Sequence, residues 1–249
     1  MQVRALTFDV FGTLLDWRST IAHAFRESGL EADPEELAED WRARALAATQ
    51  EVNQKQRLWG TFDALHQVTL GELLEERGLE LSEQARAALV RAWHKIDPWP
   101  NVPAALEAVR RDRVVAALSN GNVALLVDLA RHADLRFDCL LSAEFARAYK
   151  PEAEVYLTGV RLLGLEPGEV MMVAAHPFDL KGARRAGLRT AFIDRPLEYG
   201  PGSPPREDPE ADASVTDLSK LAVRLEPGPR RWGTSLAQIQ AFGALRRDR

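Results

Sequence analysis

Cysteine is almost absent from this chain, and long apolar runs and a signal-type N-terminus are missing as well. The 249 residues include one cysteine, Cys139, so no internal disulfide can form, and its apolar neighbours predict a buried, unreactive thiol. No run of about 18 apolar residues is present. The N-terminus also lacks a charged segment followed by an apolar core and a cleavage site. These absences predict a cytoplasmic protein without a membrane span.

A strong excess of one sign of charge is missing too. The net charge is −5, and it is spread without long acidic or basic runs. This pattern gives no reason to expect a nucleic acid or a membrane surface as partner, so a small molecule is expected. The length allows one large core, or a core with a small second domain.

From residue 103 onward the chain alternates between helix and strand patterns, and one further strand is predicted near its start. Apolar runs predict strands over residues 3–8, 114–118, 139–142, 170–175 and 190–193. Helical periods fall between them, over residues 103–111, 123–132, 151–163 and 180–186. Such alternation predicts an α/β fold with a doubly wound parallel sheet.

The region between the first strand and this alternation is predicted to be all helical. Helices are expected over residues 20–26, 34–54, 61–77 and 82–96, with Asp33 as an N-cap and Pro34 at the first helical position. Without an intervening strand these helices cannot extend the sheet. The predicted division is a core of residues 1–15 and 98–225, an inserted helical domain of residues 16–97, and a tail of residues 226–249. Within the core, residues 195–212 form a loop and residues 215–225 a final element; within the tail, residues 235–245 fit an amphipathic helix.

Polar residues follow several predicted strands, where open α/β sheets bind ligands. Asp9 follows the first strand; its carboxylate fits a nucleophile, a metal ligand or a loop cap. Ser119 and Asn120 follow the next strand, and a Ser-Asn pair there can cap a helix. Lys150 fits a helix cap or a solvated side chain, and Asp179 fits an N-cap for a helix beginning at Leu180.

Four motifs in order resemble the haloacid dehalogenase (HAD) superfamily over residues 1–225. They are Asp9-Val10-Phe11-Gly12-Thr13, Ser119-Asn120-Gly121, Lys150-Pro151 and Ala174-Ala175-His176-Pro177-Phe178-Asp179. The resemblance implies a HAD-like, Rossmann-type core, a helical cap that closes over the active site, and Asp9 as nucleophile.

Phe11 narrows the expected reaction. Phosphatases of the superfamily have an aspartate at this position, which protonates the departing alkoxide. A phenyl ring cannot donate a proton, so the leaving group should depart as a stable anion, and halide fits. The chain resembles the L-2-haloacid dehalogenases, which implies a small halogenated carboxylic acid as partner, no cofactor, a covalent ester on Asp9 and, as in many relatives, a homodimer.

The resemblance also implies roles for other residues. Lys150 should keep Asp9 ionised, Ser119 should bind the substrate carboxylate while Thr13 supports the loop, and Asn120 should help hold the halide. Asp179 should orient or deprotonate the attacking water.

Two further residues match family positions. In the cap, Arg42 should meet the substrate carboxylate or the halide, with Arg44 as a rival. Tyr156 matches the family's tyrosine, although a core aromatic is the alternative.

The last motif departs from the family pattern. Ala174 and His176 stand where better-known members have serine and asparagine. His176 fits a ligand of the halide, a group that polarises water, or a structural residue. The combination of His176 with Trp17 resembles family members that accept fluoroacetate. Phe178 is expected to form one wall of the halide site.

Two other functions stay open at this stage. A phosphatase would use Mg²⁺ held by Asp9, Asp179 and a backbone carbonyl. A binding protein without turnover is also compatible with Ala174 and His176.

Overall fold

A six-stranded parallel sheet forms the centre of the molecule. The computed structural model describes residues 2–224. The strands are β1 (Ala5–Phe8), β2 (Val114–Ser119), β3 (Cys139–Ser142), β4 (Val170–Ala174), β5 (Arg189–Ile193) and β6 (Ala213–Val215). Their order is β3-β2-β1-β4-β5-β6, and all neighbours are parallel. The predicted doubly wound sheet is therefore confirmed.

Five helices pack beside the sheet. Because helices cover the strands, the side chains of the strands are mostly apolar. These helices are α5 (Val102–Arg110), α6 (Val123–His132), α7 (Ala153–Leu163), α8 (Pro177–Arg185) and α9 (Ser219–Arg224). All residues of β1 and β4 are buried, as expected for strands covered on both faces. Cys139 is only half-buried, at the start of β3, which corrects the predicted burial, and that partial burial raises the pKa of its thiol.

Four helices lie between β1 and α5: α1 (Trp17–Glu27), α2 (Pro34–Asn53), α3 (Phe62–Glu76) and α4 (Glu83–Ala92). Each begins at a side-chain cap, and Asp33 accepts a hydrogen bond from the Glu36 amide as predicted. The four helices pack against one another around buried aromatic rings, including Trp41, Phe62 and Trp93. An inserted helical layer is thus present.

The chain leaves and re-enters the sheet layer at adjacent points. Leu15 forms an antiparallel bridge with Pro98, and the Asp16 amide donates to the Asp97 carbonyl at 2.9 Å. These contacts support residues 15 and 98 as the boundaries of the insertion, and the domain division stays a proposal.

Some element boundaries differ from the predictions. Helix α8 begins at Pro177 with His176 as N-cap, so Asp179 lies within its first turn and the alternative of an N-cap role for Asp179 is excluded. Proline at the first helical position explains this earlier start, because its fixed φ suits a helix and its missing N–H is not needed there. The predicted final element at residues 215–225 divides into β6 and α9. The predicted tail helix lies outside the described residues.

No helix within residues 2–224 is both long and apolar enough to cross a membrane.

Candidate active site

Asp9 lies at the carboxyl edge of the sheet, beside the point where the strand order reverses. The chain runs from β1 outward to β3 on one side and then crosses to β4 on the other. Asp9 therefore lies between the ends of β2 and β4, and its amide donates to the Val173 carbonyl at 3.0 Å. Ligands bind in this crevice in open α/β sheets.

Lys150 bridges two buried carboxylates. Its ammonium Nζ lies 3.2 Å from Asp9 Oδ1 and 2.8 Å from Asp179 Oδ2. With 2% of its surface exposed, Lys150 is neither solvated nor a helix cap. Burial raises the pKa of Asp9, but the charge of Lys150 and the hydrogen bonds from its other neighbours outweigh burial and hold the pKa well below its ordinary value.

For Asp179 the effects that raise the pKa outweigh those that lower it. Burial raises its pKa above the ordinary value, and the charge of Asp9 adds to this, although Lys150 opposes both effects. The Tyr156 hydroxyl donates to Asp179 Oδ1 at 2.7 Å, so Tyr156 belongs to the site as well as to the core. A carboxylate with a raised pKa beside an ionised one is suited to act as a general base.

The second oxygen of Asp9 accepts two other hydrogen bonds. Thr13 Oγ1 donates to Asp9 Oδ2 at 2.7 Å and itself accepts from the Ala175 amide. His176 Nδ1 lies 3.1 Å from the same oxygen. The structure thus places Thr13 and His176 against the Asp9 carboxylate.

Ser119 and Asn120 shape the loops around this centre. Ser119 is fully buried, and its Oγ accepts from the Gly121 amide at 3.2 Å. Asn120 Oδ1 accepts from the Lys150 amide at 2.9 Å, which fixes the backbone that carries the lysine. Their predicted contacts with substrate and halide remain proposals.

Arg42 enters the site from α2. Its guanidinium lies 5.4 to 5.8 Å from the ring centres of Phe11, Trp17 and Trp93. Arg42 is 7% exposed, and its Nε and Nη1 have no hydrogen-bond partner among residues 2–224. Arg44, the predicted rival, pairs with Glu76 at 2.8 Å away from this cluster.

Two residues at the site were missed by sequence reasoning. Glu198 is fully buried, and its Oε1 lies 2.8 Å from His176 Nε2 and 3.1 Å from Trp17 Nε1. His66 is also fully buried, stacked on Trp93, and both ring nitrogens lack a partner within the described chain. Burial and the nearby charge of Arg42 hold the pKa of His66 well below its ordinary value.

Phe178 lies at the outer side of the site. It is 45% exposed, and its ring centre lies 5.6 Å from that of His176. Its role as a wall of the halide site stays a prediction.

Two features of the site weigh against the Mg²⁺ site of the phosphatase alternative. The two carboxylates that would hold the ion already share the ammonium of Lys150. A Mg²⁺ ion would therefore compete with this ammonium for the same oxygens, and Phe11 lies buried in the position of the phosphatase acid.

The comparisons with known proteins agree with this geometry. Residues 3–187 match a family model described as haloacid dehalogenase-like hydrolase. The chain is 31% identical to (S)-2-haloacid dehalogenase 1 of Pseudomonas sp. (strain CBS-3), over 90% of this chain and 98% of that enzyme. It therefore belongs to the haloacid dehalogenase-like hydrolase family.

Two solved structures are similar to this chain in both sequence and fold. A crystal structure of an L-2-haloacid dehalogenase is 45% identical with a TM-score of 0.84, covering 89% of this chain and 98% of that one. A defluorinating L-2-haloacid dehalogenase is 39% identical with a TM-score of 0.86, covering 90% and 95%.

Proposed function

We propose that the protein is a hydrolytic 2-haloacid dehalogenase that converts short 2-haloalkanoic acids to 2-hydroxy acids through an ester on Asp9. One observation carries the proposal: a buried carboxylate kept ionised by Lys150 faces a site in which Phe11 replaces the acid that an oxygen leaving group needs. Relatives named (S)-2-haloacid dehalogenase support it.

In the first step Asp9 attacks the carbon that bears the halogen. The new C–O bond forms as the carbon–halogen bond breaks, and halide leaves with the electron pair. Arg42 supplies a buried cation whose unpartnered N–H groups can bind the substrate carboxylate or the halide. An in-line displacement inverts the carbon, so an L-2-haloacid yields a D-2-hydroxy acid.

In the second step water attacks Cγ of the ester. Asp179 is the base that takes the proton from water, since burial has raised its pKa. Tyr156 and Lys150 hold this carboxylate in place. The 2-hydroxy acid leaves with the proton from Asp179, and the free Asp9 carboxyl releases its own proton.

We include fluoroacetate among the proposed substrates. The support is the defluorinating relative and the compact set of Trp17, His176 and Glu198 beside the nucleophile. We further propose that the enzyme acts as a homodimer in the cytoplasm without a metal cofactor.

The test is halide release in the presence of a chelator. We expect chloride from chloroacetate and L-2-chloropropionate, fluoride from fluoroacetate, and a lower rate with D-2-chloropropionate. Asp9→Ala should lower the rate at least about 10⁴-fold while leaving the circular dichroism spectrum unchanged. The proposal is wrong if no 2-haloacid of the panel releases halide, or if Mg²⁺-dependent hydrolysis of a phosphate monoester is faster.

A further inference from the structure

Glu198 connects the loop after β5 to the nucleophile. The Glu198 carboxylate is fully buried, and three groups donate to it: Trp17 Nε1 at 3.1 Å, His176 Nε2 at 2.8 Å and Arg206 Nη2 at 2.6 Å. His176 then contacts Asp9 through its other nitrogen at 3.1 Å. A continuous chain of hydrogen bonds therefore runs from Arg206 near the surface to Asp9.

The protonation of His176 follows from its two partners. An ionised carboxylate only accepts hydrogen bonds, so the nitrogen that faces Glu198 and the nitrogen that faces Asp9 must both carry protons. His176 is therefore an imidazolium ion. Burial alone would lower the pKa of His176, but Glu198 and Asp9 raise it to about 9.

The surroundings keep the charge of Glu198 in place. Burial raises the pKa of Glu198, but His176, Arg206 and Trp17 outweigh burial and lower it. Gly12 leaves room for this carboxylate: with φ of +83° it adopts a backbone conformation that favours glycine, and a Cβ there would lie 2.0 Å from Glu198 Oε1. Gly12 in the first motif is therefore required for Glu198 in the loop after β5 to pack against it.

The two oxygens of Asp9 differ in what they are suited to do. Oδ2 accepts from Thr13 and His176, whereas Oδ1 has the single, longer contact with Lys150. Hydrogen bonds withdraw electron density, so Oδ1 is the better nucleophile. Oδ2 then remains as the carbonyl oxygen of the ester, already facing two donors.

We propose that Glu198 is a positioning residue that holds His176 as a charged donor to Asp9 Oδ2, where the oxyanion develops during ester hydrolysis. This inference rests on the proposed function. When water adds to Cγ, its proton passes to Asp179 and the C=O electron pair moves onto Oδ2. The His176 Nδ1–H and the Thr13 hydroxyl stabilise this charge until the C–O bond to the product breaks. Preorganised donors of this kind contribute most where charge develops.

A rapid-quench experiment with the full-length enzyme and L-2-chloropropionate tests the role. In Glu198→Gln the loss of charge should let His176 become neutral. We expect the first turnover of chloride release to change less than threefold, while ester hydrolysis slows by about 10²-fold. Mass spectrometry of the peptide that contains Asp9 should show the ester accumulating. The alkaline limb of ester hydrolysis should move to lower pH, because His176 loses the Glu198 charge that raises its pKa.

Three other variants separate this role from a structural one. Glu207→Gln changes an exposed neighbour in the same loop and should behave as wild type. In a His176→Asn background, Glu198→Gln should change ester hydrolysis less than threefold, because the group through which it acts is absent. Arg206→Gln should move the alkaline limb in the same direction as Glu198→Gln, but less, and it tests the inference even if Glu198→Gln fails to fold.

Two outcomes would overturn the inference. One is ester decay at the wild-type rate in folded Glu198→Gln. The other is an equal loss in the wild-type and His176→Asn backgrounds, which would show that Glu198 acts on the fold. Failure of wild-type enzyme to release halide would contradict the proposed function instead, so the two failures are distinct.

Discussion

The guanidinium of Arg42 is buried among three aromatic rings, and two of its nitrogens are unpartnered within residues 2–224. A buried charge without a full set of partners destabilises a fold, although the aromatic faces offset part of the cost. Arg42→Met should therefore leave the melting temperature unchanged or raise it. It should also lower kcat/KM for 2-haloacids by about 10²-fold or more, since the partner of a buried anion is lost.

Arg44→Met is the matched control for this prediction. Arg44 lies two residues away on the same helix, but it forms a partly exposed ion pair with Glu76. Its removal should change kcat/KM less than twofold. Similar losses in the two variants would show that general helix stability, and not substrate binding, explains the effect. Thermal denaturation and steady-state halide release provide both measurements.

The sequence was most informative for residues tied to strand ends. Asp9 and Ser119 follow apolar runs, and the edge of a parallel sheet brings such positions together whatever the loops do. Glu198 could not be found in this way. It lies in a turn-rich segment without periodicity, and only the folded loop shows that its carboxylate is buried beside His176. His66 was missed because a histidine on a helix carries no signal for its neighbours.

At the scale of elements, helix α2 is joined to the loop that carries Lys150. Asn53 at the end of α2 donates to the Tyr149 carbonyl and accepts from the Tyr149 amide, each at 2.9 Å. Asn53→Ala removes both bonds and should lower the free energy of unfolding by about 1–3 kcal/mol. Because the loop positions the lysine, kcat should fall as well. Urea denaturation and steady-state kinetics check the two effects.

Gln54→Ala is the control for this contact. Gln54 is the exposed next residue, so its removal should change stability by less than about 0.5 kcal/mol and leave kcat unchanged. If Asn53→Ala has no larger effect than this control, the contact does not hold the lysine loop.

Element types were easier to predict than element ends. The alternation of patterns was enough to predict the sheet, since a parallel strand and its crossover helix require each other. The predicted start of α8 was three residues too late, because Asp179 resembles an N-cap. In the structure its carboxylate instead accepts hydrogen bonds from Lys150 and Tyr156. Local capping rules cannot anticipate a side chain that is bound by another part of the chain.

At the scale of the whole molecule, stability should depend on pH through His176. Its pKa is raised from 6.5 to about 9, so the folded state holds this proton more tightly than the unfolded state. The resulting stabilisation is fully present below pH 6.5 and is lost as the pH rises through about 9. We expect the free energy of unfolding to fall by on the order of 3 kcal/mol across this window.

His176→Asn should flatten this dependence, because an amide does not titrate. Urea denaturation at half-unit steps between about pH 6 and 9 would show it. An equal slope in wild type and variant would assign the pH dependence to other groups.

The bridge between Leu15 and Pro98 has a consequence for how such enzymes diversify. Because the two ends of the helical layer already touch, we expect a change in the length of that layer to leave the sheet in place. Exchange of the layer would remove Arg42 and the Asn53 contact with the lysine loop together, so substrate binding and the placement of Lys150 should change with it, while Asp9 stays on the sheet.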